Sequence, residues 1–283
     1  MEQSVFFNNQ LLPLRDAHLP AVSRAGAYGD GCFETLKTIQ GRMLGIDLHI
    51  ERLRQGMDYL GIAHPKETTE ARFAYIIESL LIANNLLEQE ARVRIQVWRN
   101  GPLGYQTGTK DEPILLVSAY PMPNTLAPLS LGTVQTRRIP NLSLPAHLKL
   151  SNGINYIAAQ REASAAGYDE AIMLDIHGRV SETSMANILW IYEGKLETPS
   201  LACDPLPGIT RKWVLESFLE HYPVHEAAFS IDRVMEAQAV FTCNSLRELH
   251  PVRMVNDKAF DTESDLVRRM MRIWTDFRND HLV

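Results

Sequence analysis

The 283-residue chain is 45% hydrophobic and 22% charged, a composition typical of globular proteins that argues against general disorder. Its net charge of −6 argues against a nucleic-acid partner, which would require a basic surface. No stretch approaches about 18 uninterrupted apolar residues and the first residues lack a signal-peptide pattern, so we expect no membrane contact and a cytoplasmic location. The three cysteines form no C-x-x-C pair, which indicates reduced thiols and predicts no metal site.

The first half of the chain predicts a strand-rich domain with two helices. Apolar residues bounded by turn residues indicate strands at 5–9, 10–14, 32–39, 43–46, 92–98 and 113–119. The first two of these strands are expected to form a hairpin. Apolar residues three and four positions apart predict a helix over 49–60, and a second helix is expected over 69–84.

Two closely spaced prolines divide the chain. The run Pro121-Met122-Pro123-Asn124 stops regular structure and predicts a linker over 121–128. The linker would separate a smaller α+β domain, 1–120, from a larger α+β domain, 129–283. In the larger domain we expect strands at 132–138, 170–175, 180–182, 187–192, 195–198 and 239–243. Its helices are predicted over 154–166, 210–222 and 264–277.

Three motifs in the second half carry side chains or backbone groups that could do chemistry. At Gly208-Ile209-Thr210 a glycine precedes a helix start, whose backbone N–H groups bind anions, although an ordinary helix cap has the same pattern. Glu182 ends an apolar strand, where a carboxylate could pair with a cationic ring nitrogen or simply close a turn. Lys149 lies among apolar neighbours, where desolvation would make its amine nucleophilic, although a surface lysine fits the same pattern.

The order and spacing of several motifs resemble the fold-type IV enzymes of pyridoxal 5′-phosphate (PLP), the class IV aminotransferases. This family includes branched-chain aminotransferases, D-amino-acid aminotransferases and aminodeoxychorismate lyases, and the resemblance covers roughly residues 6–252. The matching segments are Tyr28-Gly29-Asp30-Gly31-Cys32-Phe33-Glu34-Thr35, His49-Ile50-Glu51-Arg52-Leu53, Lys149 with Asn152, Gly167-Tyr168-Asp169-Glu170-Ala171, Val180-Ser181-Glu182 with Ala186-Asn187, and Pro207-Gly208-Ile209-Thr210-Arg211. The resemblance implies a two-domain α+β fold like that of D-amino-acid aminotransferase. It also implies a homodimer, with the site between the domains and near the dimer interface.

The resemblance implies a role for each matching residue. Lys149 would hold PLP as a Schiff base and move protons during turnover. Glu182 would pair with the pyridine nitrogen and keep it protonated, which makes the ring a better electron sink. The implied ligands of the cofactor phosphate are Arg52, Ile209, Thr210 and Ser245.

Two of the motifs are more similar to aminodeoxychorismate lyases than to branched-chain aminotransferases. Thr35 stands where those aminotransferases usually carry glycine, and the resemblance implies that it assists Lys149 in proton transfer. The stretch Asn244-Ser245-Leu246 resembles the lyases at a place where aminotransferases more often carry Gly-Thr-Ala.

A third similarity to the lyases lies in a loop of the first half, where Arg99 precedes Gly104-Tyr105. The lyases often carry a second arginine where this chain has Leu103, and a substrate with two carboxylates would need that charge. The resemblance makes Tyr105 a candidate catalytic residue beside Lys149 and Thr35. The candidate substrate-binding residues are Tyr28, Arg94 and Asn244.

Three hypotheses follow for the function of the chain. The first is a lyase that splits the small molecule 4-amino-4-deoxychorismate into 4-aminobenzoate and pyruvate, a step toward folate. The second is a class IV aminotransferase that acts on branched-chain L-amino acids or on D-amino acids. The third is a binding or structural protein without turnover, against which the joint presence of Lys149, Glu182 and Arg52 argues.

Overall fold

A computed structural model describes residues 2–66, 68–108, 111–123 and 127–282. The chain divides into two units, each with its own sheet. The first unit takes in 1–124, 148–152 and 281–283, and the second takes in 125–147 and 153–280. The predicted linker, 121–128, lies partly outside the described residues, because 124–126 are not among them.

An antiparallel sheet and helices form the first unit. Its described strands are β1 (Ser4–Phe7), β2 (Gln10–Pro13), β3 (Gly31–Ile39), β4 (Arg42–Met43), β5 (Glu90–Arg99) and β6 (Pro113–Pro121). Its described helices are α1 (Arg24–Tyr28), α2 (Ile46–Leu60) and α3 (Glu70–Ala83). The strands lie in the order β2-β1-β6-β5-β3-β4. The predicted hairpin is confirmed, since β1 pairs with β2 in antiparallel register.

One face of this sheet forms the core of the first unit. Val93, Ile95 and Val97 alternate along β5, are fully buried and belong to one hydrophobic cluster with residues of α2 and α3. Arg94 lies between them, so its side chain leaves the sheet on the opposite face. The period-two pattern therefore sets which side chains of β5 join the core and which remain available for chemistry.

Helix α2 lies between two glycines with left-handed backbone. Gly45 precedes it with a φ of 66° and Gly61 follows it with a φ of 66°, a conformation that residues with a Cβ adopt at a cost. The return strand predicted at 43–46 is present only at its start: β4 pairs with β3 at Met43 and ends there, and Ile46 already begins the helix.

The segment 148–152 belongs to the first unit, although the sequence placed Lys149 in the larger second domain. The reason is backbone pairing with β3. The Phe33 N–H donates to the Lys149 carbonyl at 2.9 Å, and the Ser151 N–H donates to the Gly31 carbonyl at 2.9 Å. These hydrogen bonds attach residues 148–152 to β3, although the two segments are far apart in the sequence.

A mixed sheet and helices form the second unit. Its described strands are β7 (Leu129–Thr133), β8 (Glu170–Leu174), β9 (Val180–Thr183), β10 (Asn187–Tyr192), β11 (Lys195–Pro199), β12 (Val224–Ala227), β13 (Ala239–Asn244), β14 (Glu248–Val255) and β15 (Lys258–Ala259). Its described helices are α4 (Ile154–Ala165), α5 (Ile209–Phe218), α6 (Ile231–Met235) and α7 (Asp265–His281). The order is β12-β11-β10-β13-β14-β7-β8-β9, and β15 pairs with β14.

Two predicted elements of the second unit end four or more residues before their expected last residue. The strand expected at 132–138 is β7, which ends at Thr133. Beyond it, the N–H groups of Gln135 and Thr136 donate to the Glu162 carboxylate, at 2.7 and 3.1 Å, instead of to a neighbouring strand. The helix expected over 210–222 ends at Phe218.

No helix in the described ranges is both long and apolar enough to cross a bilayer. All three cysteines are buried and unpaired, as expected for reduced thiols. Burial raises the pKa of Cys32 to about 12, and it raises the pKa of Cys243 to about 12. These thiols therefore stay protonated and unreactive at neutral pH.

Candidate active site

Two cations in the first unit flank the ring of Phe33. The ammonium nitrogen of Lys149 lies 4.6 Å from the ring centroid, and the guanidinium carbon of Arg94 lies 3.9 Å from it. Thr35 pairs directly with Arg94 across β3 and β5, so the two side chains leave the sheet on the same face as Phe33. Burial, together with the charge of Arg92, lowers the pKa of Arg94. This face combines an amine, a hydroxyl and a cation suited to a carboxylate.

The opposite face of β3 carries a buried carboxylate between helix residues. Glu34 is fully buried and accepts hydrogen bonds from Arg52 Nε at 2.6 Å and Arg52 Nη2 at 2.9 Å. His49 Nδ1 lies 2.7 Å from Glu34 Oε2. Burial alone would raise the pKa of Glu34, but the charges and hydrogen bonds of Arg52 and His49 lower it to about 2. The carboxylate is therefore ionised and fixes the guanidinium of Arg52.

The two tyrosines assigned from the sequence meet in the first unit. The Gly104 N–H donates to the Tyr28 hydroxyl at 3.0 Å, and the rings of Tyr28 and Tyr105 lie 5.6 Å apart. Tyr105 is 93% exposed, so its ring is available to a bound molecule. The carbonyls of Pro102 and Gly104 accept from Arg24 Nη1, which anchors this loop.

Arg99 belongs to the support of that loop. Its Nε donates to Asp30 Oδ2 at 2.9 Å, and Arg24 Nε donates to the same oxygen at 2.7 Å. Arg99 also donates to the carbonyls of Leu60 and Gly61, and it is 2% exposed. The guanidinium of Arg99 is therefore occupied by contacts within the protein. Arg99, one of the residues that resemble the lyases, therefore supports the loop that carries Tyr105.

Glu182 in the second unit has partners on both carboxylate oxygens. Oε1 accepts from Arg138 Nε at 2.6 Å and from the Tyr156 hydroxyl at 3.0 Å, and Oε2 accepts from the Leu206 N–H at 2.9 Å. Burial and the Glu182 charge raise the pKa of Tyr156 well above its ordinary value, so it remains a donor. Sequence reasoning missed Arg138 and Tyr156, because their convergence on Glu182 is tertiary and leaves no local pattern.

At the N-terminus of α5, Gly208 lies close to the side chain of Asn187. Gly208 is the N-cap residue and no side chain caps the helix, whose first residues are Ile209 and Thr210. A Cβ at Gly208 would lie 2.1 Å from Asn187 Oδ1, while Asn187 Nδ2 donates to the Leu206 carbonyl at 2.8 Å. A side chain at position 208 would therefore have to displace the Asn187 side chain. The initial N–H groups of the helix have no intrahelical acceptor. Such a helix start binds phosphate oxygens.

The turn between β13 and β14 holds two further candidates. Asn244 Oδ1 accepts from the N–H groups of Leu246 at 3.0 Å and Arg247 at 2.8 Å, and its Nδ2 donates to the Met185 carbonyl at 3.1 Å. The side chain of Asn244, which the resemblance assigned to substrate binding, thus stabilises the turn in which it lies. Ser245 lies within that turn and is half-buried.

The candidate residues fall into two groups. Those in the first unit are Tyr28, Thr35, Arg52, Arg94, Tyr105 and Lys149. Those in the second unit are Glu182, Ile209, Thr210, Asn244 and Ser245. Within the described ranges, no group of three or more His, Cys, Asp or Glu residues could hold a metal ion.

Comparisons with known proteins show what the chain is similar to. The family model of class IV amino-transferases matches residues 31–255. An aminodeoxychorismate lyase of Vibrio harveyi is 31% identical over 246 residues, which cover 84% of this chain and 88% of the relative. A putative branched-chain-amino-acid aminotransferase of Methanocaldococcus jannaschii is 31% identical over 263 residues, which cover 90% of both chains.

Solved structures match the fold over the whole chain. The branched-chain aminotransferase of Thermoproteus uzoniensis with norvaline superposes with a TM-score of 0.92 and 22% identity, and the match covers 100% of this chain and 99% of that one. The branched-chain amino acid aminotransferase of Thermobaculum terrenum in its PLP form gives a TM-score of 0.87 at 20% identity, covering 100% and 98% of the two chains. At these identities the likeness concerns the fold.

Proposed function

Because the chain belongs to the class IV aminotransferase family, we propose that it is a lyase that converts 4-amino-4-deoxychorismate to 4-aminobenzoate and pyruvate. It is a PLP-dependent enzyme. The observation that carries the choice of reaction is the position of Thr35. This hydroxyl lies opposite Arg94 on the face of β3 where Lys149 and Arg94 flank Phe33.

The residues present fit PLP. A phosphorylated, cationic ring needs an amine, a carboxylate for its nitrogen and donors for its phosphate. Lys149 would supply the amine, Glu182 the carboxylate and Arg52 a cation for the phosphate. The uncapped start of α5, where Gly208 leaves room for the Asn187 side chain, would supply backbone donors. When bound, PLP withdraws electrons from the substrate carbon that carries the amino group.

Three side chains of the first unit would then have a task in the proposed reaction. The Lys149 amine would remove the proton from the carbon that carries the substrate's amino group. Arg94 would form an ion pair with a substrate carboxylate. Because Arg94 is partly buried, this ion pair would be stronger than one in water. Thr35 would deliver the proton that the departing three-carbon group needs to become pyruvate. Loss of the first proton and departure of that group leave an aromatic ring, 4-aminobenzoate.

An aminotransferase acting on branched-chain L-amino acids or D-amino acids is the second candidate. The Methanocaldococcus jannaschii relative, which is named as an aminotransferase, has the same sequence identity to this chain, 31%, as the Vibrio harveyi lyase. Leu103, which stands where lyases often carry an arginine, favours it too. Both reactions begin with the same proton removal by Lys149, so the cofactor residues do not separate them.

We also propose that the enzyme acts in the cytoplasm as a homodimer. Leu142 and Ile154 of the second unit are 99% and 74% exposed, and a partner chain would remove apolar side chains of this kind from water. Light scattering of the purified enzyme would give twice the mass of the 32.0 kDa chain. The mass of a single chain would contradict the dimer.

The reaction is tested by incubating the PLP-loaded enzyme with 4-amino-4-deoxychorismate in the absence of any keto acid. The proposal predicts equal amounts of pyruvate and 4-aminobenzoate. In parallel, a panel of L- and D-amino acids with 2-oxoglutarate measures transamination. Rapid transamination with no pyruvate from the first reaction would refute the lyase and support the second candidate.

A further inference from the structure

Glu34 and His49 form a buried polar cluster that neither proposed reaction uses directly. Glu34 has no exposed area, and His49 is 1% exposed. Removing a carboxylate from water is unfavourable unless nearby groups compensate for the lost hydration. Here the compensation comes from His49 and from Arg52, the residue proposed to bind the cofactor phosphate.

The geometry of the pair fixes the guanidinium in one orientation. Glu34 Oε1 accepts from Arg52 Nε and Glu34 Oε2 accepts from Arg52 Nη2, so one edge of the planar group is held by two hydrogen bonds. Since His49 holds Oε2 of the same carboxylate, the carboxylate cannot rotate without losing a bond. A free arginine side chain has many rotamers, and ordering it on binding would reduce affinity.

We propose that Glu34 and His49 are positioning residues that hold Arg52 ready to bind the phosphate of PLP. The inference rests on the proposed role of Arg52. Arg52 would touch the cofactor, whereas Glu34 and His49 would act only through Arg52. The two roles predict different behaviour when the substitutions are combined.

The chain offers a control for breaking an ion pair between a fully buried glutamate and an arginine, here Arg233, whose side chain is 31% exposed. Glu197 is also fully buried and accepts from Arg233 Nε at 2.9 Å and from Arg233 Nη2 at 3.0 Å. His225 Nδ1 lies 3.5 Å from Glu197 Oε1, which completes the same trio of residue types. None of these three residues is assigned to the cofactor. Glu197→Gln therefore reports what the loss of such a pair does to folding alone.

The experiment is a double-mutant cycle in PLP affinity. The PLP dissociation constant of the apoprotein is measured by spectroscopic titration for the parent, Glu34→Gln, Arg52→Gln and the double variant, and thermal unfolding is followed for each. We expect Arg52→Gln to raise the constant by about tenfold to a hundredfold and Glu34→Gln by about tenfold. In the Arg52→Gln background, Glu34→Gln should change it less than about twofold. Glu197→Gln should leave the constant unchanged whatever it does to thermal stability.

His49→Gln provides a second variant that keeps the Glu34–Arg52 pair intact, for use if Glu34→Gln does not fold. It should raise the PLP constant by about threefold in the parent and leave it unchanged in the Arg52→Gln background. If Arg52→Gln raises the PLP dissociation constant but neither Glu34→Gln nor His49→Gln does, the positioning role is overturned and the role of Arg52 stands. Equal effects of Glu34→Gln in both backgrounds would also overturn it. An unchanged constant in Arg52→Gln would instead refute the proposed role of Arg52 itself.

Discussion

At the scale of single residues, the hydrogen bonds of Glu182 determine how its carboxylate is held. Arg138, Tyr156 and the Leu206 N–H all donate to it. A charged Glu182 would keep the pyridine nitrogen of PLP protonated. The two donors on Oε1 also hold the carboxylate in one orientation.

Glu182→Gln should lower kcat while PLP remains bound. The amide has nearly the same shape but no charge, so the ring nitrogen would lose its proton and the ring would accept electrons less well. Steady-state kinetics with PLP titration measures the two effects separately. The control is Glu197→Gln, which removes a buried carboxylate elsewhere in the second unit. A normal kcat in Glu182→Gln would show that Glu182 only ends its strand.

Thr35→Gly separates the two candidate reactions. If Thr35 delivers the proton that completes pyruvate release, its loss should reduce pyruvate formation about 10²-fold, a usual scale for losing a general acid. The visible spectrum of bound PLP should not change, because Thr35 is not assigned to the cofactor. Transamination should survive, since glycine is usual at this position in the aminotransferases that the motif resembles. Full pyruvate formation in the variant would exclude Thr35 from the reaction.

At the scale of secondary-structure elements, the start of α5 depends on one glycine. Gly208→Ala should weaken PLP binding and lower the melting temperature, because its Cβ would lie 2.1 Å from Asn187 Oδ1 and displace the helix start. Gly153→Ala is the matched control: Gly153 is the N-cap residue of α4, and no atom lies within 4 Å of its added Cβ. Titration and thermal unfolding of both variants test this. Equal behaviour of the two would contradict the role of the close contact.

Elements with regular periodicity could be predicted from the sequence, and irregular ones could not. The strand β5 and the helix α3 match their expected positions because alternation and a Thr69 cap define them locally. The strand β14 was missed, since Pro251 and the polar residues around it break any alternation. Helix α6 has five residues and is too short to show a period.

The candidate site divides in the same way. Motif order identified Lys149, Glu182 and Arg52 as candidates, whereas their partners required the structure. Glu34 and His49 lay inside motifs already recognised, but only the packing of α2 on β3 shows that they hold Arg52. A buried glutamate one position before Thr35 was the available signal, because a carboxylate on the core face of a strand needs a cation.

At the scale of the whole molecule, the same cluster should affect stability in acid. The pKa of Glu34 is about 2 in the folded chain, against an ordinary value of 4.5. A carboxyl whose pKa is lowered by folding stabilises the protein fully above about pH 4.5 and loses that contribution as pH falls toward about 2. The contribution is on the order of 3 kcal/mol.

The free energy of unfolding of the apoprotein, measured with urea at about pH 6 and about pH 3, should therefore fall more in the parent than in Glu34→Gln. The variant starts less stable, because it has already lost the ion pair. Its remaining pH dependence comes from the other carboxyl groups, which it shares with the parent. An equal fall in both proteins would show that Glu34 does not have a lowered pKa.

The chain path places Lys149 with the first unit although most of its sequence neighbours belong to the second. Residues on both sides of 148–152 return to the second unit, so the lysine segment links the two halves of the sequence through its pairing with β3. Local sequence patterns could not predict this pairing, because the segment and its partners in β3 are more than a hundred residues apart.

Both candidate reactions depend on the amine of Lys149, so the most direct test is to find where PLP is attached. The PLP-loaded enzyme is reduced with borohydride, digested and mapped by mass spectrometry, alongside Lys149→Ala. We expect a phosphopyridoxyl group on Lys149 in the parent and no stable label in the variant. A label on another lysine, or one that persists in Lys149→Ala, would contradict the assignment of the active site.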